Sequence, residues 1–417
     1  IGGGAAGIAA AASAARKGAS VVLVDRESHQ GGILKQCIHN GFGLHRFGEE
    51  LTGPEYASRE LATLEGLNVH VVRDASVLRV KNGGEGARDI SVEIVSPQGE
   101  QTISAGAAVL ATGSRERGAG ALGTPGTRPS GVFSAGSAQN FMNLQGCAPG
   151  SNVVILGSGD IGLIMARRLT LEGAKVLCCV EAMPYSSGLQ RNIVQCLQDF
   201  NIPLYLSHTI TDIRGDKRVE QVVVSKVDEN RRSIPGTEME FDVDTILLSV
   251  GLIPENELTR QAGIAMDPHT KGAVVYENME TEIPGVFACG NVVHVHDLVD
   301  FVSGESETAG AAAAAYVQNG EIETEIVLPL AAGEGIGYTV PQHIRLDGVQ
   351  KSVSVSFRVR RNYGPSTITV RCGPNKIAAF KRERLAPGEM EHITLPKALL
   401  QKADGPLIVA VEEVPQS

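Results

Sequence analysis

Gly2, Gly4 and Gly7 lie in the run Gly2-Gly3-Gly4-Ala5-Ala6-Gly7, and Asp25 follows 18 residues after the last of them. Gly157, Gly159 and Gly162 lie in Gly157-Ser158-Gly159-Asp160-Ile161-Gly162, with Glu181 following 19 residues later. Glycines at this spacing suit a dinucleotide pyrophosphate. The first permits a tight strand-to-helix turn, the second lets the backbone approach the phosphates, and the third lets the helix pack on its sheet. The helix N-terminus then offers unpaired N–H groups to the anion. An acid at the tip of the next strand accepts hydrogen bonds from ribose hydroxyls. One such pattern in a glycine-rich chain is weak evidence. Two, each followed by an apolar strand and an acid at matching distance, are strong.

The elements that must position these residues recur with them. In the first copy an Ala-rich helical stretch runs to about Arg16, then Gly18 and the strand Ser20–Val24 precede Asp25. In the second, the strand Asn152–Leu156 leads into the turn, a helix runs to about Glu172, and Lys175–Val180 leads to Glu181. Past the acids, Val69–Val72, Val77–Lys81 and Ile90–Val95 suggest a β-meander with a turn at Asn82-Gly83-Gly84, then a buried strand Ala107–Ala111 closed by Thr112-Gly113. The second copy repeats this with Leu204–Ser207, Val219–Val227 and Glu238–Phe241, then Thr245–Ser249 closed by Val250-Gly251.

Composition agrees with such a protein. The 417 residues include 49 glycines, 4% aromatics and no Trp, which favours close backbone packing over a base-stacking surface. The net charge of −10 argues against a nucleic-acid or anionic-membrane footprint. No apolar run reaches the length of a membrane span, and Ile1–Ala15 lacks the basic stretch that precedes a signal-peptide core. Starting at Ile1 reads as starting partway into a strand. Seven cysteines, none in a Cys-x-x-Cys pair, indicate a reducing, cytoplasmic setting without a structural zinc or iron–sulfur spacing. His294 and His296 share a face by spacing and form a candidate metal pair, but the ligand set is incomplete and no metal is expected.

The order of elements resembles the pyridine nucleotide-disulfide oxidoreductase family over residues 1 to about 325. The closing box of that family is matched by Thr281-Glu282-Ile283-Pro284-Gly285-Val286-Phe287-Ala288-Cys289-Gly290-Asn291, with Asn291 where Asp is usual. The resemblance implies an α/β fold of two Rossmann-like domains, the NAD domain inserted in the FAD domain, followed by a small β-rich domain outside the resemblance. The expected boundaries are 1–117 and 256–328 for FAD, 118–255 for NAD and 329–417 for the β-rich part. It places FAD along Gly2, Gly4, Ala6, Gly7, Asp25, Arg26, Gly32, Val77, Thr112, Gly113, Gly290 and Asn291. NAD(H) is placed along Gly157, Gly159, Ile161, Gly162, Glu181 and Gly251, with Glu181 favouring NADH over NADPH. A helix from about Glu305 to Val317 is expected to aim its N-terminus at the flavin.

The redox cysteines of the disulfide reductases are not in place. Leu34 and His39 stand at their positions in Gly31-Gly32-Ile33-Leu34-Lys35-Gln36-Cys37-Ile38-His39, which leaves Cys37 as a lone thiol between them. Cys37 and His39 are the candidate catalytic residues, with the flavin carrying the chemistry; Cys37 reads as a thiol beside the flavin or, preferably, as a small loop residue, and His39 and His45 as flavin neighbours or, preferably, polar loop residues. Arg115 and Arg117 steer cofactor phosphate or are solvated linker charges.

The crossover, from Ala111-Thr112-Gly113-Ser114 to Ser137-Ala138-Gln139, is similar to FAD-containing subunits of heteromeric dehydrogenases and oxidases. This similarity implies hydride transfer between NAD(H) and flavin within a multi-component dehydrogenase. A stand-alone NADH oxidase or reductase and a non-catalytic nucleotide-binding scaffold are the alternatives. The C-terminal cysteine cluster of larger subgroup members is missing. Ala331–Gly337 reads as a linker, and residues 331–417 as a β-rich dock for a partner electron-transfer subunit or as a cap; a homo-oligomer is compatible with the same surface.

Overall fold

At the first turn Gly2 adopts φ +101°, and a Cβ there would meet the Ala111 carbonyl oxygen at 2.4 Å. Only a residue without a side chain lets the chain pass here. Gly4 remains extended as the N-cap, and the alanines that follow, the strongest helix formers, carry α1 (Ala5–Arg16). Gly18, at φ +89°, turns the chain into β1 (Val21–Val24). The structure, a computed structural model, describes residues 1–82 and 89–413.

β1 pairs in parallel with β2 (Val69–Val72). An antiparallel meander follows: β3 (Ser76–Asn82), β4 (Ile90–Ser96) and β5 (Gly99–Ala105). Then comes β6 (Ala108–Leu110). Gly2 donates to the Val24 carbonyl and Ala111 to that of Ile1, so the first residues fill the space between β1 and β6. The expected meander is corrected by one strand. Val69–Val72 belongs to the parallel sheet, and the third meander strand is Gly99–Ala105, whose exposed polar residues hide its periodicity. Gly83 and Gly84 of the expected turn lie outside the described residues.

The unit Arg115–Ile253 stands as a separate compact body. Its sheet contains β7 (Val132–Ser134), β8 (Asn152–Leu156), β9 (Lys175–Glu181), β10 (Leu204–Leu206) and later β14 (Thr245–Leu248), in the parallel order β7-β14-β8-β9-β10. Helix α2 (Asp160–Leu171) follows the second glycine turn. It buries Leu163, Met165 and Leu169 against the sheet. The meander is β11 (His208–Gly215), β12 (Val219–Lys226) and β13 (Met239–Asp242). The same correction applies: Leu204–Leu206 is an edge strand of the parallel sheet, and His208–Gly215 opens the meander.

From Pro254 on, the chain rejoins the first unit. β15 (Val286–Ala288) pairs in parallel with β6. Helix α3 (Val299–Asn319) starts six residues before the expected Glu305. Its first turn is built around Asp300, a buried carboxylate that accepts from the Gly43 and Arg46 amides. Buried polar residues there masked the apolar periodicity. α1 and α3 cross closely enough that a Cβ on Gly310 would lie 2.1 Å from the Ala10 carbonyl oxygen, which explains why the contact is made of small residues.

The C-terminal residues form two sheets over one apolar core. The larger contains β16 (Val327–Ala332), later β18 (His343–Arg345), β20 (Ser366–Cys372), β21 (Asn375–Arg382) and β23 (Leu407–Glu413). The smaller contains β17 (Ile336–Val340), β19 (Ser352–Val359) and β22 (Glu391–Pro396). The expected linker at Ala331–Gly337 is instead the end of one strand, a Gly333–Gly335 turn and the start of the next. Its small residues are required by packing, since a Cβ on Gly335 would lie 2.5 Å from the Tyr363 hydroxyl.

Candidate functional site

In the first unit three backbone segments meet at the tip of β1. The Gly31 amide donates to the Gly3 carbonyl at 2.7 Å, and a Cβ on Gly32 would come 3.0 Å from the Gly4 Cα. A Cβ on Gly7 would sit 1.7 Å from the Gly2 carbonyl oxygen. Asp25 is 7% exposed. Its Oδ1 accepts from the Glu27 amide at 3.1 Å, whereas Oδ2 is buried without a partner. A buried carboxylate oxygen left unpaired is costly, and a ribose hydroxyl is the donor it suits. The glycine cradle and this open acceptor fit the adenosine half of FAD.

Thr112-Gly113 and Gly290-Asn291 lie beside the same turn and α1. Gly113 and Gly290 adopt φ +72° and +73°. The Thr112 hydroxyl donates to the Glu255 carbonyl at 2.8 Å. A Cβ on Gly290 would meet the Ala6 methyl at 2.9 Å, which seats this turn on α1. Asn291 Oδ1 accepts from the His296 amide at 3.0 Å, and its Nδ2 faces the Ser114 hydroxyl at 3.5 Å. Asn in place of the usual Asp therefore gives a side chain that both donates and accepts. Ala6 is buried on α1, and Val77 is half-buried on β3 against the same core. Arg26 is exposed beside Glu27 at 3.8 Å.

Cys37 and His39 follow the Gly31-Gly32 turn, after one short 3-10 helix (Gly32–Gln36). The Cys37 Sγ donates to the Ile33 carbonyl at 3.3 Å, and burial pushes the thiol up to about 12. Such a thiol stays protonated at neutral pH and is a poor nucleophile. His39 Nδ1 bonds to the Asn40 carbonyl at 3.0 Å, and its ring lies 5.1 Å from Phe42. His45 stacks on Phe301 at 5.3 Å. Arg115 and Arg117 are exposed.

The second unit builds the same turn differently. Gly157 adopts φ +96°, and a Cβ there would lie 2.1 Å from the Ser249 carbonyl oxygen. Gly162 donates to the Ser249 hydroxyl at 3.0 Å. Gly159 is the extended N-cap of α2, Ile161 is half-buried on its first turn, and Gly251 turns at φ +93°. Glu181 is buried like Asp25, but its oxygens are engaged. Oε2 accepts from the Ser158 hydroxyl at 2.6 Å and the Ser158 amide at 3.1 Å, and Oε1 accepts from the Met183 amide at 2.9 Å. Asp160, at the start of α2, accepts from the Leu189 amide at 2.8 Å and Asn192 Nδ2 at 2.7 Å. Residues 183–192 are thereby tied to the turn. The glycines fit a dinucleotide pyrophosphate, and binding would exchange the Ser158–Glu181 bond for a ribose contact. Sequence reading missed Ser158, Asp160 and Ser249. For Ser158 and Asp160 the one readable signal is polar residues inside a fingerprint that otherwise needs none; Ser249 lies far from it in sequence.

Comparison with known proteins bears on both units. Residues 1–318 match the family described as pyridine nucleotide-disulphide oxidoreductase. An opine oxidase subunit from Agrobacterium tumefaciens is 26% identical over 278 residues, 63% of this chain and 54% of its own length. An NADH oxidase of Methanocaldococcus jannaschii is 30% identical over 190 residues, 44% of this chain and 37% of its own. This chain spans about half or less of those two relatives. The solved structure of T. acidophilum thioredoxin reductase superposes with a TM-score of 0.62 at 24% identity, covering 75% of this chain and 96% of that one, which shows the two-Rossmann fold. No helix among the described residues is long and apolar enough to cross a membrane.

Proposed function

The chain belongs to the pyridine nucleotide-disulphide oxidoreductase family, and from this we propose that it takes a hydride from NADH onto bound FAD and hands the electrons to a partner subunit. It is an oxidoreductase of a family for which FAD and a pyridine nucleotide are the expected cofactors. The observation that carries the fuller reading is the pair of glycine cradles, each with a buried acid at the tip of the following strand.

Bound FAD would supply a two-electron centre for the hydride. The rest is the work of this chain. Asp25 Oδ2 receives a ribose hydroxyl, and the Gly2–Gly7 turn admits the pyrophosphate against backbone amides. In the second unit Glu181 selects a free 2′-hydroxyl, because a 2′-phosphate beside a carboxylate is repelled. Arg191, the first basic residue after it in sequence, is exposed. The assigned residues are Gly2, Gly4, Ala6, Gly7, Asp25, Arg26, Gly32, Val77, Thr112, Gly113, Gly290 and Asn291 for FAD. For NADH they are Gly157, Gly159, Ile161, Gly162, Glu181 and Gly251.

The state of the thiols supports onward transfer to a partner rather than to an internal disulfide. Cys37 is in no disulfide and, with its thiol pushed up to about 12, is poorly suited to disulfide exchange. The relative named as one subunit of an opine oxidase supports a multi-component setting. The C-terminal sheets, where Val327 and Ile408 are exposed, are the proposed dock.

Anaerobic titration of the flavin-loaded chain with NADH tests this reading. Bleaching of the flavin bands by NADH at lower concentration than by NADPH is expected. One observation favours a second reading, a scaffold whose second site is closed: the Glu181 oxygens are already bonded by Ser158 and Met183. Retention of oxidised flavin under excess NADH would decide for the scaffold. Fast oxygen turnover by the chain alone would decide for a stand-alone oxidase.

A further inference from the structure

Behind the Gly290-Asn291 turn lies a group of side chains that the proposed hydride transfer does not use. His294 and His296, on the segment leading to α3, and Glu305, on its second turn, bring one donor atom each within 4.8 Å of one another. His294 Nε2 is 2.8 Å and His296 Nε2 3.4 Å from the same oxygen, Glu305 Oε2. The two imidazoles are 1% and 2% exposed and the carboxylate 12%. Glu305 is the third donor that spacing along the chain does not reveal; it lies eleven residues beyond His294 and is brought back by the bend into α3.

Hydrogen bonds orient His296 and Glu305 inward, while His294 Nδ1 is buried without a partner. His296 Nδ1 lies 3.1 Å from the His294 carbonyl oxygen. A carbonyl only accepts, so Nδ1 is the donor of that bond, and Nε2 is the ring atom turned toward Glu305 Oε2. The other carboxylate oxygen, Oε1, accepts from the Gly290 amide at 2.7 Å, which fixes the carboxylate plane. An imidazole donating its far nitrogen to a backbone carbonyl, beside a carboxylate anchored at its far oxygen, is the usual outer support of a metal site. Asp297 is not available as a ligand, being bonded to the Arg358 guanidinium and the Met390 amide.

We propose that His294 Nε2, His296 Nε2 and Glu305 Oε2 bind one divalent first-row transition metal. Two imidazoles and one carboxylate are the donor set of zinc and non-haem iron sites that keep coordination positions open. Metal–ligand bonds of about 2.0–2.2 Å put neighbouring donors about 3.3 Å apart, so the two separations on Glu305 need little adjustment. Because Glu305 also holds the Gly290 amide, the metal site shares a residue with the flavin groove. A bound ion would therefore report on, and steady, the turn that carries Asn291.

The test uses the untagged, flavin-loaded full chain, stripped by a chelator and titrated with Zn²⁺. Uptake is read by calorimetry and by elemental analysis after gel filtration. One Zn²⁺ per chain is expected, and Co²⁺ in its place should add ligand-field bands over the flavin spectrum. Glu305→Gln and His296→Asn should each weaken Zn²⁺ binding by about a hundredfold or more, beyond what loss of a supporting hydrogen bond alone commonly costs. The wild-type result stands even if a variant misfolds: a stripped, flavin-loaded chain that takes up no stoichiometric Zn²⁺ holds only a proton in this cluster, and the proposal fails. Equal Zn²⁺ binding by wild type and by folded variants would overturn it too. Neither outcome touches the NADH titration, so the two readings fail separately.

Discussion

The two glycine turns of this chain are the same unit built to opposite ends. In the first, Gly3 leaves the buried Oδ2 of Asp25 without a partner. In the second, Ser158 stands at the matching place and its hydroxyl bonds Glu181 at 2.6 Å. The helices differ in the same sense. α1 begins with alanines and has no acid in its first turn, whereas α2 begins with Asp160, which holds Leu189 and Asn192. A cradle with an open acceptor suits a cofactor that stays. A cradle whose polar groups satisfy each other while empty suits one that comes and goes, because no buried group is stranded when it leaves. The backbone requirement is shared; the side chains around the two acids differ.

The largest effect should come from breaking the first turn. A Cβ on Gly7 has backbone oxygen 1.7 Å away, whereas one on Gly162 meets the Ser249 side chain at 2.6 Å. Gly7→Ala is therefore expected to lower flavin per purified chain about tenfold or more, through overpacking that no rotamer relieves. Gly162→Ala should leave flavin content near wild type. Equal flavin loss in both, measured by absorbance against protein, would remove the distinction.

Next, Gly3→Ser copies the second turn into the first. Its Cβ would lie 2.2 Å from Asp25 Oδ2. Flavin affinity in reconstitution of apoprotein should fall about tenfold, a loss of roughly 1.4 kcal/mol. Affinity equal to wild type would show that Oδ2 is not the ribose acceptor.

Changes to the acid of the second turn should be of similar or smaller size. Glu181→Ala is expected to weaken NADH binding about tenfold, as loss of a charge-assisted hydrogen bond does. Ser158→Gly should act in the opposite direction, tightening NADH about fivefold because a bond worth about 1 kcal/mol no longer has to be broken. Equilibrium titration of both variants checks the pair. An unchanged dissociation constant in Glu181→Ala would count against the ribose contact.

The smallest effect belongs to Cys37. With its thiol pushed up to about 12, it should react slowly with a thiol reagent at pH ~8, and Cys37→Ser should leave flavin reduction by NADH unchanged. A fast loss of reduction on labelling, absent in the serine variant, would bring the thiol back into the chemistry.

Much of the architecture was readable from residues alone. The glycine turns, the acids after β1 and at the end of β9, and the strands Ser352–Val359 and Leu407–Val411 follow from turn chemistry and local periodicity. What misled were places where neighbours far along the chain supply the reason. Val69–Val72 and Leu204–Leu206 alternate like meander strands but pair in parallel with β1 and β9. Gly335 reads as linker and is packed under Tyr363. The start of α3 carries Asp300, polar and buried, because it anchors a loop more than 250 residues upstream.

That this chain holds two dinucleotide turns with an acid after each is written in the order of its residues, since those demands are local: a positive φ, a missing Cβ, a strand of fixed length. Which acid is free, which is taken, and that Glu305 closes on His294 and His296 are settled only once the chain has folded. Those are questions of where side chains meet across long loops, and hydrogen bonds and shared ligands form by distance in space, which spacing along a chain does not encode.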